Sequence, residues 1–234
     1  VAAYPKGYVT GQSNFEKGNE RTMNVKTDHI FRLGHDSIRI NGSQNIYIDP
    51  WEVSGPPADL ILITHDHYDH CDPPTVKALS GPRTQIVTEA AAAAHLKREG
   101  IVSPITIMVP GEEIEIYGVN LKAVPSYNSN KNFHPRANNW LGFIVTMDEV
   151  SVYHAGDTDF IPEMADIKAQ VALLPVSGTY TMTAGEAAAA ALAIMPEVAI
   201  PMHYGKIVGD ESMAEEFAAA LKGKVKTEIK AISQ

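Results

Sequence analysis

The stretch "DLILITHDHYDHCD", from Asp59 to Asp72, places an uninterrupted apolar run of strand length directly before a segment dense in imidazoles and carboxylates. A run apolar at every position, rather than at alternate ones, is expected for a strand covered on both faces, which calls for layers of structure on each side of its sheet. The polar cluster then begins where such a strand ends. In His65-Asp66-His67 the side chains at i and i+2 of an extended segment project to one side, so two imidazole nitrogens can reach one ion. Asp69 and His70, one turn further on, can address a neighbouring position. Anchoring this loop on a buried strand gives its ligand geometry a rigid base.

Around this centre the chain alternates. "HIFRL", "SIRI" and "NIYID" read as a β-meander broken at Gly34 and at Asn41-Gly42, a pair suited to a hairpin turn with positive φ. "PPTVKALSG" reads as a short helix started by proline, "TQIVT" as a strand, and "TEAAAAAHLKREG" as a helix with Thr88 as N-cap and Gly100 as stop. A second strand-rich block follows in "PITIMV", "EEIEIYG", "VNLKAVP", "LGFIVTM" and "VSVYHAG". After it come the strand "VALLPVS", a helix opened by Thr183 and Glu186 at capping-box spacing and ended by Pro196, the strand "VAIPMHYG", the helix "DESMAEEFAAALKG" and a last strand "VKTEIKAI". Two strand-rich blocks, each followed by helices, predict an α/β fold of two sheets packed face to face with helices outside. Residues 1–22, polar and Gly-rich, are set apart as a leader or a native arm before Met23, leaving 23–234 as one domain.

The "THDHYDH" segment resembles the H-x-H-x-D-H signature of the metallo-β-lactamase superfamily. "YHAGDTD", "IPMHYG" and "LGHDS" match further motifs in the same order, the last resembling the branch that contains N-acyl-phosphatidylethanolamine phospholipase D and L-ascorbate-6-phosphate lactonase. The resemblance implies a four-layer αββα sandwich of two mixed sheets, and a metal-dependent hydrolase holding one or two ions, zinc first and manganese or iron(II) as alternatives. It implies that His65, His67, Asp69 and His70 bind metal, that Asp157 bridges two ions and that His203 binds the second. The family's third histidine for the first ion aligns with Asn128; either that ligand is missing or His134, six residues on, supplies it. Asp69 is also the candidate to orient the water or shuttle its proton.

A divalent ion lowers the pKa of a bound water from about 15.7 to near 7 and polarises a carbonyl or phosphoryl oxygen, so such a site needs no serine or cysteine nucleophile. The substrate class expected is a small ester, lactone or phosphodiester. The same fold leaves two alternatives open, an iron-containing redox metalloprotein and a non-catalytic metal-binding or sensing protein. Asp49 is a candidate partner for a ligand imidazole or a turn cap, His35 a candidate for the pocket mouth, and Tyr127, Asn128 and Tyr180 candidates for the pocket wall. Arg136 and Lys131 would bind an anionic substrate or simply be solvated. His154 reads as structural or as a support behind the metal ligands rather than a ligand itself, His29 and His95 as bystanders. The formal charge of −9 disfavours a nucleic-acid partner, and no apolar run is long enough to span a membrane. The single cysteine, Cys71, excludes an intrachain disulfide framework and suits the cytoplasm.

Overall fold

The structure, a computed structural model, describes residues 25–233; the leader at 1–22 and the start at Met23 lie outside them. Two mixed sheets form the centre. The first has six strands in the order β1 (Ile30–Gly34), β2 (Ser37–Asn41), β3 (Asn45–Ile48), β4 (Ala58–Leu62), β5 (Ser80–Thr88) and β6 (Ile105–Ile107). It opens as an antiparallel meander and turns parallel from β3 onward. The second contains β7 (Glu113–Ile116), β8 (Val119–Pro125), β9 (Leu141–Met147), β10 (Val150–His154), β11 (Val171–Pro175), β12 (Val198–Met202) and β13 (Lys226–Thr227). Antiparallel pairing runs from β7 to β10 and parallel pairing from β10 to β13.

The all-apolar β4 shows why both faces must be covered. Leu60 and Leu62 join the core between the sheets, beside Ile38, Ile46, Phe143 and Val152, while Ile61 turns the other way. There it packs with Ile63, Val76, Leu79 and Leu96 beneath α1 (Pro73–Leu79) and α2 (Ala90–Arg98). On the far side α3 (Ala184–Ile194) and α4 (Glu211–Leu221) pack on each other and cover the second sheet. The predicted sandwich of two mixed sheets with helices outside is the fold observed.

Three local expectations change. The N-cap of α2 is Glu89, whose carboxylate accepts from the backbone N–H groups of Ala91 and Ala92. The Thr88 hydroxyl instead donates to the Ile63 carbonyl at 2.8 Å, tying β5 to the start of the histidine loop. Gly42 does not take positive φ. A Cβ there would meet only the movable ends of the Met147 and Asp148 side chains, so the turn does not depend on left-handed backbone at Gly42. The last strand shortens to Lys226–Thr227, because Glu228 turns inward to the Thr27 hydroxyl and Lys230, and the chain returns only as a single bridge between Ile232 and Arg32. The capping box of α3 forms in both directions between Thr183 and Glu186.

Candidate metal centre

Every crossover in the parallel parts of the two sheets carries the chain away from a strand's carboxyl end, where open α/β sheets gather their ligand-binding groups. The polar cluster is assembled there from both sheets. The first sheet contributes His35 and Asp36 after β1, Asp49 after β3 and His65 to His70 after β4. The second contributes Asn128 and His134 after β8, Asp157 after β10, Ser177 after β11 and His203 after β12. Non-glycine residues with left-handed backbone mark three of these ends, His35 (φ 43°), Asp49 (φ 47°) and His203 (φ 60°), and the His203 N–H donates to the His35 carbonyl at 3.2 Å.

The donor atoms fall into overlapping groups, in each of which they lie within 4.8 Å of one another: His65, His67 and His134; His35, Asp69, His70 and His203; and Asp36, His70, Asp157 and His203. Asp157 stands between the groups. Its Oδ2 lies 3.1 Å from His134 Nε2 and 3.2 Å from His203 Nε2, and its Oδ1 lies 3.4 Å from His70 Nε2. The imidazole joining His65 and His67 is therefore that of His134. Asn128 lies behind it: its Oδ1 is 3.1 Å from His134 Nδ1 and accepts the His134 backbone N–H at 2.9 Å. The Asn128 amide donates in turn to Asp159 Oδ1 and to the Tyr180 carbonyl, and Lys131 holds Asp159 at 2.7 Å.

Asp49 accepts the Thr64 N–H at 2.7 Å and the Thr64 hydroxyl at 2.6 Å, and its Oδ2 lies 2.8 Å from His70 Nδ1. Its carboxylate thus holds an imidazole and fixes the end of β4 together, its side-chain bonds going to Thr64 and His70 rather than to its own turn. Ser177 Oγ does the same for His203 Nδ1 at 2.8 Å. The Trp140 ring packs at 4.6 Å from His65 and 4.8 Å from His67, closing one side of that group. His154 stays structural, its Nε2 donating to the Asp36 carbonyl at 3.0 Å while Nδ1 accepts the Gly156 N–H. Cys71 is packed under α1, and burial pushes its thiol up to about 12.

Electrostatically the site is a buried set of imidazoles facing a smaller number of carboxylates. Burial, then His70, holds His65 well below the usual imidazole range, and burial, then His134, lowers His67, so both present the neutral ring that a cation requires. Burial opposes charge on His203, yet Asp157 and Asp36 carry it up to about 9. Asp157 is held well below the carboxylate range against its burial by His203 and His70. Asp36 is pushed up to about 7 by burial. His70 Nε2, His134 Nε2, Asp157 Oδ1, both nitrogens of His35 and both carboxylate oxygens of Asp36 are buried without a hydrogen-bond partner. An unsatisfied buried polar atom costs roughly 1–3 kcal/mol, and several aimed at common points are what a divalent cation would satisfy. The donor set fits a metal.

Beside the cluster lies a cavity of about 230 Å³, whose inner end is formed by His67, Asp69, His134 and Asp157. Tyr180 lines it and Tyr127 does not. The Tyr127 hydroxyl donates to Glu163, and Tyr127 lines a separate cavity with Arg136. Sequence reasoning missed Asp36, Ser177 and Thr64, each of which is a common polar residue whose role depends on a strand end brought from elsewhere in the chain.

Residues 27–204 match the family model described as the beta-lactamase superfamily domain. A UPF0173 metal-dependent hydrolase of Thermoplasma acidophilum is 35% identical over 84% of this chain and 91% of its own length, and one from Pyrococcus abyssi is 32% identical over 84% and 93%. A crystal structure of a Parabacteroides distasonis protein assigned to the metal-dependent hydrolases superposes with a TM-score of 0.77 at 32% identity, covering 87% of this chain and 93% of that one. A cluster of metal-fitting donors at the strand ends of this sandwich, together with these matches, leads to one conclusion: the chain belongs to the metallo-β-lactamase superfamily, as a metal-dependent hydrolase similar to the UPF0173 proteins.

Proposed function

We propose that the cluster is a dinuclear centre hydrolysing a small ester, lactone or phosphodiester, with zinc as the resident ion and manganese or iron(II) as alternatives. His65, His67 and His134 would hold one ion, and Asp69, His70 and His203 the other, with Asp157 between them. When bound, the ions supply Lewis acidity and a water acidified towards neutral pH. The observation that carries this reading is Asp157, whose two oxygens face imidazoles of both groups.

The chain's own residues do the rest. Asp49 and Ser177 fix the rings of His70 and His203 through their Nδ1 atoms, leaving Nε2 directed inward. Asp69 reaches the cavity and sits 3.3 Å from His35; although burial alone would raise its pKa, the neighbouring imidazoles of His35 and His70 keep it below the carboxylate range. An ionised Asp69 is thus in place to orient the attacking water and take up its proton. Trp140 excludes solvent from the far side of His65 and His67. The hydrolase name shared by the relatives favours this reading over redox or sensing roles, and the single buried thiol accords with a cytoplasmic setting.

Elemental analysis of purified protein tests the arrangement. Two equivalents of metal are expected in the wild type, about one in His134→Ala, and loss of ester or diester hydrolysis in Asp157→Asn. One equivalent in both wild type and His134→Ala would remove His65, His67 and His134 as a site.

A further inference from the structure

The outer half of the active cavity differs in kind from its inner half. Tyr68, Phe133, Tyr180 and Ile207 form it. Tyr68 and Phe133 are 66% and 50% exposed, unusual for rings with no partner to bury them. The Phe133 and Tyr180 rings meet edge to face at 4.8 Å, and Tyr68 stands against Trp51 at 5.9 Å, so the rim is braced rather than loose. Among the described residues, no lysine or arginine lines the cavity. The cations nearest in sequence to its walls are each engaged by a carboxylate of the chain: Lys131 by Asp159, Arg136 by Glu163 and Lys206 by Glu52, at 2.7 to 2.9 Å. The inner end presents Asp69 and Asp157. Beyond the metal ions themselves, the described lining offers an anionic substrate no side-chain cation, whereas an apolar group would bury itself and the exposed rings together.

We infer that the substrate is an uncharged ester or lactone with an apolar acyl or leaving group, seated between Tyr68, Phe133, Tyr180 and Ile207, and that phosphodiesters are disfavoured. This rests on the hydrolytic reading of the metal centre. The rim acts by area: each methylene buried contributes about 0.8 kcal/mol, a factor of roughly four in kcat/KM where the chain is fully covered. Specificity then resides in the rim and the chemistry in the donors beneath it.

The test uses metal-loaded protein with 4-nitrophenyl acetate, butyrate and hexanoate, and bis(4-nitrophenyl) phosphate as an anion with the same leaving group. Each rate is divided by its uncatalysed rate. Acceleration should rise from acetate to hexanoate, two- to fourfold per methylene, and exceed that of the diester at least tenfold. Phe133→Ala should lower the hexanoate-to-acetate ratio at least threefold. The wild-type series decides the matter even if that variant fails to fold. Stronger acceleration of the diester, or equal acceleration of acetate and hexanoate, would overturn the inference while leaving a working hydrolase. Turnover of none of the four would instead count against the hydrolytic reading itself.

Discussion

Asn128, aligned by resemblance with the imidazole that completes the first ion's site, would in the proposed centre serve that site at one remove. By taking the His134 Nδ1–H it fixes the tautomer whose Nε2 points towards Asp157 and the His65 and His67 rings. The Asn128→Leu variant keeps the volume and loses both acceptor and donor, so affinity for the ion at His65, His67 and His134 should fall 10- to 100-fold, read by titration against a chromophoric chelator. Unchanged affinity would mean that packing alone orients His134. At this scale sequence carried much but not all. His65, His67, Asp69 and His70 share one loop, so their convergence is legible from spacing. His134 against Asn128 was undecidable because the answer depends on a hairpin-like closure, Asn128 N–H to the His134 carbonyl at 2.8 Å, that brings the two side by side.

The elements themselves were mostly legible because their signals are local. The seven residues of β8 and of β9, Val119–Pro125 and Leu141–Met147, are those whose pattern reads as strand, and the capping box of α3 stands where the Thr183 and Glu186 spacing puts it. Errors arose where a tertiary partner outbid a local preference. Thr88 is a good cap in isolation, but its hydroxyl is drawn to the Ile63 carbonyl, and the duty passes to the next residue. Glu89→Ala should accordingly destabilise the protein by about 1–2 kcal/mol in urea unfolding, within the range for loss of an N-cap, whereas a Thr88 cap would leave stability nearly unchanged. The final strand is shorter than its alternation suggests: in "VKTEIKAI" the Glu228 N–H still reaches the Ala199 carbonyl of β12 at 3.0 Å, while its carboxylate pairs with Lys226 and Lys230 and reaches Thr27, and the ladder ends there.

That same knot ties the first described strand region to the chain's last segment and gives the whole molecule an acid-sensitive fastening. Burial would raise the Glu228 pKa, yet the bonds from Lys226, Thr27 and Lys230 bring it from 4.5 down to about 2. A carboxyl depressed in the folded state stabilises fully above its unfolded pKa, so the contribution is constant above about pH 5 and disappears as pH falls towards 2. The stability gap between wild type and Glu228→Gln, from urea midpoints, should therefore be flat from pH 5 to 8 and close below pH 4; a gap independent of pH down to 2 would show that the carboxylate's charge is immaterial. The metal centre, by contrast, joins the two halves through its donors: His65 to His70 come from the first sheet, His134, Asp157 and His203 from the second. During biosynthesis this order has a consequence. A nascent chain that has completed only the first sheet offers two histidines of one group and none of the carboxylate that links the groups, and the final imidazole emerges only after β12 has been made. If the proposed centre forms, its complete donor set is available only once translation has passed His203, and a product cut short before that point would lack it.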